Sequence, residues 1–387
     1  MCILIASCLH PDYPLILLSN RDEYFSRSTQ LAQFIESTPN STAATAAIDI
    51  GNSHSEKIVN GNSEGVKLIS ETVANHDING EITKTKAKTV TDQQQHSPLA
   101  TPQTTTYNNT NAETTRLLMP YDLQREEHGT WIGVNSNGKI CVLVNYREPF
   151  RANASSKISR GSIPLEFLNS DLSTHEWENY IRNKTENFKL IGGFSFFYGD
   201  LKYNPIIKNI EPFKIISNRC DYSLDVFQNR LSLDSSIKIN EEKLTIALSN
   251  SRYDEPWPKI QLGKNKLNSV ISESIEKNWD QDKLVDSLFE SLSVKVPNNN
   301  WEHLSYEEAF LQMKQTIFVP PVRTNSEFSK YYGTRTQTVI LVDKSGELTY
   351  IEKNLHSTDD LSELPKINKF KFKINNWVDI NNISSSL

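Results

Sequence analysis

The chain opens with two apolar runs, MCILIASC and PLILLSN, that share only the turn-forming stretch His10-Pro11-Asp12-Tyr13 between them. Runs of this length, rich in Ile and Leu and bounded by turn residues, predict buried strands over residues 1 to 8 and 14 to 20. The short spacing makes them an antiparallel hairpin. With the turn centred between Pro11 and Asp12, paired positions sum to about 23, which sets Cys2 opposite Arg21 within a residue or two. The second strand then ends in four consecutive polar residues, Asn20, Arg21, Asp22 and Glu23. Side chains alternate along a strand, so Asn20 and Asp22 face one way and Arg21 and Glu23 the other, and only a twist or bulge lets both pairs reach Cys2.

From Glu36 to Thr115 the composition changes to Thr, Asn, Ser, Ala and Gln, with Tyr107 as the one aromatic residue. Such a segment buries too little apolar surface to offset its ordering entropy, and it predicts a disordered insertion at 36–115. The remainder, about 307 residues, suits a single domain spanning 1–387. Its first later element is a hairpin over 129 to 146, with Asn137-Gly138 as a positive-φ pair at the turn. Ser173-x-x-Glu176 is a capping box opening a helix. Strands follow in KLIGGFSFFYGDL and PFKIISN, then helices near 240–249, 264–276, 281–292 and 305–316. The strands TQTVILVD, ELTYIEKN and KFKFKINN close the chain. Strands at both ends with helices between them predict an α+β layered fold with mainly antiparallel sheets.

Several functions are disfavoured. Lys and Arg number 41 against 47 Asp and Glu, for a net charge of −6 without a long basic cluster, so nucleic acid is not an expected partner. Cys2, Cys8, Cys141 and Cys220 form no C-x-x-C pair, and the eight histidines show no ligand spacing; neither a disulfide framework nor a metal site is expected. No phosphate-binding glycine motif occurs. The N-terminal run lacks a basic flank and is interrupted at His10, which argues against a signal peptide or a transmembrane segment and for a cytoplasmic protein.

Cys2 directly behind Met1 has chemical meaning. Removal of Met1 by methionine aminopeptidase places a thiol and an α-amine on one residue, and an amine with a pKa of about 7.7–8.0 can act as base for its own thiol. Asp22 could orient the amine, and Arg21 could lower the thiol pKa. Asn145, on the face shared with Cys141 and Leu143, and Asn218, ending another apolar strand, are candidate oxyanion donors. Arg335, at the entrance to TQTVILVD, is a candidate anion ligand. Each has a plainer reading as well: a small buried hydrophobe for Cys2, caps or turn formers for the asparagines, a surface ion pair for Arg335.

The ordered series MCIL, HPDYPLILLSNRDEYFSR, GTWIGVNSNGKICVLVNYRE, SRG at 159–161, ISN at 216–218 and YGTRTQTVILVD resembles the transport and Golgi organisation protein two family, also called the NRDE family. More distantly it is similar to the choloylglycine hydrolase and penicillin V acylase group of N-terminal-nucleophile hydrolases. That similarity implies a four-layer αββα sandwich and a site of Cys2, Arg21, Asp22, Asn145, Asn218 and Arg335, although that group separates its Arg and Asp where Arg21 and Asp22 are adjacent. The family resemblance implies roles in Golgi organisation and protein secretion, partly at mitochondria. It also implies handling of haem or acyl-lipid metabolites, with no cofactor required. Two functions are therefore expected as alternatives. One is binding of an amphipathic ligand, haem or an acyl-CoA-like lipid, with Asn20, Arg21, Glu23 and Arg335 as binding residues. The other is an amidohydrolase with Cys2, Asp22, Asn145 and Asn218 as catalytic residues.

Overall fold

The computed structural model describes residues 1–37, 104–106, 115–148, 158–184, 191–204, 209–227, 244–296, 301–375 and 377–378. All belong to one compact unit. Most of the insertion expected at 36–115 lies outside the described residues; of its interior, only the strand Thr104–Thr106 is described.

Two large sheets form the centre. The first runs Thr245–Ser249 (β13), Ile3–Ser7 (β1), Leu15–Tyr24 (β2), Tyr331–Val342 (β15), Glu347–Asn354 (β16), Lys366–Lys373 (β17) and Thr104–Thr106 (β4), with Val322–Arg323 (β14) pairing off β15. The second runs Leu224–Val226 (β12), Phe213–Ser217 (β11), Phe194–Asp200 (β8), Lys139–Asn145 (β7), Ile132–Asn135 (β6), Arg116–Asp122 (β5) and Thr29–Glu36 (β3). A small ladder joins Tyr203–Asn204 (β9) to Asn209–Ile210 (β10). Apart from the parallel pair β17 and β4, the described ladders are antiparallel.

The alternation of side chains dictates the layering. Leu4, Ala6, Leu15 and Leu17 point towards the second sheet and meet Val134, Val142, Phe197 and Ile215 in the inter-sheet core. Their neighbours Ile3, Ile5, Ile16 and Leu18 point the other way, onto the helices Pro258–Glu276 (α3) and Gln281–Leu292 (α4). On the outer face of the second sheet Cys141, Phe196 and Tyr198 pack against Ser162–Asn169 (α1) and Thr174–Asn183 (α2). The result is the expected αββα sandwich. A fifth described helix, Tyr306–Met313 (α5), lies beside a smaller apolar cluster. No helix among the described residues is long and apolar enough to cross a membrane.

The opening hairpin has the expected register, Ile3 opposite Asn20 and Ser7 opposite Ile16. The capping box of α2 is present as expected from Ser173 and Glu176. Two local expectations are corrected. Residues 245–249, expected in a helix, are β13, because Thr245, Ile246, Leu248 and Ser249 are buried beside β1, and this environment overrides local propensity. At the β6–β7 turn only Gly138 has positive φ, +96°, and Gly138 N–H donates to Asn135 O at 3.0 Å, so one glycine suffices where a pair was expected.

Candidate functional site

The β1–β2 register brings the chain start to the polar end of β2. β15 completes the arrangement through a bulge: Asp22 pairs with Thr334 but Arg21 with Thr336, leaving Arg335 outside the ladder. Thr334 Oγ1 donates to Asp22 Oδ1 at 2.7 Å, while Asp22 Oδ2 lies 2.9 Å from the Met1 α-amine. That amine also donates to the Tyr332 hydroxyl, which in turn donates to the Asp22 carbonyl at 3.3 Å. Alternation holds, yet both faces serve the site. Asp22, on the helix-facing side, takes the amine, whereas Cys2 and Arg21 share the inter-sheet side.

Burial governs the titration. It pushes the Met1 amine below its ordinary value, with Asp22 opposing. It also raises the Cys2 thiol, so Arg21 does not deliver the lowered thiol pKa expected from its position; desolvation outweighs it. In the chain that carries Met1, Cys2 nitrogen is a peptide nitrogen and the thiol is a weak donor 3.7 Å from Asp22 O.

Lys259 is an unforeseen member. It is 0% exposed, its Nζ donates to Met1 O at 2.6 Å, and it occupies the first turn of α3 behind Pro258. Both burial and the helix dipole disfavour a cation there, and burial lowers its pKa. Ser249 Oγ holds the next carbonyl, Cys2 O, at 2.7 Å.

Two clefts meet at this point, of about 460 and 550 Å3, and both are lined by Cys2, Asp22, Glu23, Asn145 and Arg160. The first continues along Arg21, Arg27, Arg125, Trp131, Leu143 and Ile158; the second along Met1, Arg147, Asn250, Trp257 and Tyr332. Arg21 stacks over Trp131 and lies 3.6 Å from Glu23. Asn145 emerges exposed at the end of β7, and its carbonyl accepts from Asn250 Nδ2.

The structure thus gathers Cys2, Arg21, Asp22, Glu23 and Asn145. Three other candidates face elsewhere. Asn20 Nδ2 donates to Leu292 O at 2.8 Å and Ile317 O at 3.0 Å in the helical layer. Asn218 accepts from Phe194 N at 3.0 Å and donates to Ile191 O at 2.9 Å, and it lines neither cleft. Arg335 donates to Arg27 O, to Thr29 Oγ1 at 3.2 Å and to His356 O at 2.9 Å, and burial beside Arg21 lowers its pKa to about 10. It buttresses the turn that carries Arg27 and lines neither cleft. Arg160, Trp131 and Tyr332 join the site from within the motifs SRG, GTW and YGTRTQTVILVD, and Lys259 carries one signal in the sequence, a cation just after a helix-initiating proline. Among the described residues no group of three or more His, Cys, Asp or Glu could hold a metal ion.

The chain resembles an uncharacterised protein of Saccharomyces cerevisiae, 27% identical over 97% of this chain and 100% of the relative. It also resembles the Transport and Golgi organization protein 2 homologs of Bos taurus, 27% identical over 60% of this chain and 75% of the relative, and of Homo sapiens, 26% identical over 63% and 78%. Among solved structures, a conjugated bile acid hydrolase from Clostridium perfringens aligns over 99% of this chain and 93% of its own, at 12% identity and a TM-score of 0.36. The sequence profile of Transport and Golgi organisation 2 matches residues 1–54 and 99–357, a span that takes in the second sheet, all of the first sheet but β17, and every site residue named above. The chain belongs to the Transport and Golgi organisation 2 family.

Proposed function

We propose that this protein binds a small amphipathic molecule with an anionic head, haem or an acyl-CoA-like lipid, in the clefts at Cys2. Through that binding it supports Golgi organisation and protein secretion from the cytoplasm, in association with Golgi or mitochondria. The observation that carries this reading is the lining of the first cleft: guanidinium groups of Arg21, Arg27, Arg125 and Arg160 beside the apolar surfaces of Trp131, Leu143 and Ile158. Arginine forks suit carboxylate and phosphate oxygens, and the apolar wall suits a hydrocarbon or porphyrin body. Three carboxylates share the cleft: Asp22 is engaged by the Met1 amine, Asp122 by Arg27 at 2.7 Å, and Glu23 lies 3.6 Å from both Arg21 and Arg27, which leaves Arg125 and Arg160 as the cleft arginines that none of the three carboxylates pairs. Arg160 donates to Gly193 O at 3.3 Å and keeps further donor capacity. The test is titration of purified protein with haemin and with palmitoyl-CoA. Saturable micromolar binding of at least one, weakened about tenfold or more in Arg160→Ala, supports the reading; absence of saturable binding of both overturns it.

The α-amine held against Asp22 favours a second reading, a cysteine amidohydrolase acting on an N-acylated small molecule. Once Met1 is removed, the Cys2 amine takes the thiol proton, the thiolate attacks the amide carbonyl, and the C–N bond breaks as the proton passes to the leaving amine. Water then cleaves the thioester. Asn145, at the rim beside Cys2, is the oxyanion donor in this scheme. If Cys2→Ala and Cys2→Ser both complement a deletion strain as wild type does, the catalytic reading fails and binding alone remains.

A further inference from the structure

The fold holds Met1 as it would hold a ligand. Met1 is 5% exposed and packs with Trp301, Ala309, Met313, Val319 and Val322, a cup separate from the three larger apolar cores. Its carbonyl oxygen rests on Lys259 Nζ and its amine on Asp22. For the Lys259 ammonium, fully buried at a helix start, the backbone carbonyl of Met1 is the one hydrogen-bond acceptor among the described residues. The cup also contains an unspent donor: Trp301 Nε1 is buried without a partner among the described residues. Buried donors left without acceptors are costly, and sites that keep them ordinarily meet a ligand or water.

Removal of Met1 changes this balance in a definite way. The new Cys2 amine inherits Asp22, which already receives the amine of the longer chain. Lys259 keeps the nearby charge of Asp22 but loses the carbonyl that accepts from its Nζ, and the apolar cup is emptied. We propose that the space filled by Met1 is an acyl-binding subsite, opened by removal of Met1, in which a short unbranched aliphatic acyl chain replaces the Met1 side chain and its carbonyl or carboxylate oxygen replaces the Met1 carbonyl on Lys259.

From carbonyl carbon to terminal methyl, a methionine residue matches the length of a hexanoyl chain, and both are unbranched. The closed end of the cup is formed by the apolar cluster, whereas Met1 also lines the second cleft, so the acyl head group has a route out past Cys2. The subsite deepens the ligand-binding reading by naming what lies at the apolar end of the ligand. It rests on that reading only for the head group, and a probe with no head group beyond a carboxylate tests it separately.

The experiment uses full chains released from a cleavable fusion so that one begins at Met1 and the other at Cys2. The probes are hexanoate and butanoate, read by tryptophan fluorescence and by thermal midpoint. The expected result is saturable binding of hexanoate to the Cys2 chain with a rise in its midpoint. Butanoate should bind at least tenfold more weakly, and the chain beginning at Met1 should bind neither. Lys259→Met in the Cys2 chain should weaken hexanoate at least tenfold. Equal binding to both chains, no binding to the Cys2 chain, or an unchanged affinity in Lys259→Met overturns the proposal. If the Cys2 chain does not fold, Met1→Gly empties the cup while keeping the backbone. Stabilisation of Met1→Gly by n-butanol, without a like effect on the Met1 chain, then supports the subsite, and equal responses overturn it. Failure of haemin and palmitoyl-CoA binding with success of hexanoate removes the arginine-cleft reading and leaves the subsite standing; the reverse result does the opposite.

Discussion

Arg21 lies over the indole of Trp131, its guanidinium carbon 4.0 Å from the ring centroid. Arg21 is on β2 of the first sheet, and Trp131 immediately precedes β6 of the second. The contact therefore joins the sheets where the inter-sheet core gives way to the arginine-lined cleft. A desolvated cation–π pair of this kind contributes up to about 2 kcal/mol. Trp131→Ala removes both the pair and part of the apolar wall, and it should lower affinity for an anionic amphipathic ligand about tenfold or more. Arg21→Lys keeps the charge and loses the stacked plane, so its effect should be smaller. The same haemin and palmitoyl-CoA titrations check both, and wild-type affinity in Trp131→Ala would remove the indole from the binding surface.

Asp22→Asn tests how the chain start is held. In the chain that carries Met1, the substitution leaves a buried ammonium facing a neutral amide, and breaking a buried pair by removing one partner costs about 3–5 kcal/mol. The amine can escape part of this by deprotonating, which burial already promotes. A base whose folded pKa lies below its unfolded value loses stability as pH falls through its ordinary value, here 8.0. The unfolded amine titrates alike in both chains, so the deficit of Asp22→Asn in urea unfolding should deepen as pH falls through the folded pKa of the wild-type amine, which lies below 8.0. A deficit independent of pH would show that the amine is not the group Asp22 serves.

How much of this was legible in the sequence varies with the distance over which each feature is determined. The β1–β2 register followed from an apolar pattern and a short turn, and it correctly set Cys2 beside Arg21 and Asp22. β13 was misread because 245–249 becomes a strand only through burial beside β1, a partner more than 200 residues away. Asn145, Asn218 and Asn20 all end or extend apolar strands, yet only Asn145 reaches the clefts. The other two are consumed by backbone groups of segments distant in sequence. Arg335 was a plausible anion ligand until the bulge at Thr334/Thr336 turned it onto backbone carbonyls. Lys259 is not legible locally because its role depends on Met1, 258 positions earlier.

Asn218→Ala separates support from chemistry. Its side chain accepts from Phe194 N and donates to Ile191 O, fixing the entry into β8. Loss of these bonds leaves backbone groups without their partner and should destabilise by about 1–3 kcal/mol in urea or thermal unfolding. Ligand affinity of the folded fraction should stay within about twofold of wild type, since Asn218 lines neither cleft. A tenfold loss of affinity with unchanged stability would instead give Asn218 a direct role at the site.

Glu352 supplies a pH dependence of opposite sign. It lies 1% exposed on β16, and its Oε2 accepts from Ala32 N at 2.9 Å, a backbone donor freed where β3 shifts register between Gln30 and Gln33. Burial raises its pKa from 4.5 to about 7, outweighing the Ala32 hydrogen bond and the nearby Arg21 and Arg335. The folded state therefore holds this proton after the unfolded state has released it. Across the window from 4.5 to about 7, rising pH lowers stability, by an amount on the order of 3 kcal/mol, and above that window the contribution is flat. Glu352→Gln keeps an acceptor for Ala32 N and has no proton to lose, so it should remove this slope and leave the variant more stable than wild type at neutral pH. Urea midpoints measured across the window decide it. Parallel pH profiles for wild type and Glu352→Gln would mean that Glu352 ionises alike in the folded and unfolded chains, and that a different group sets the dependence.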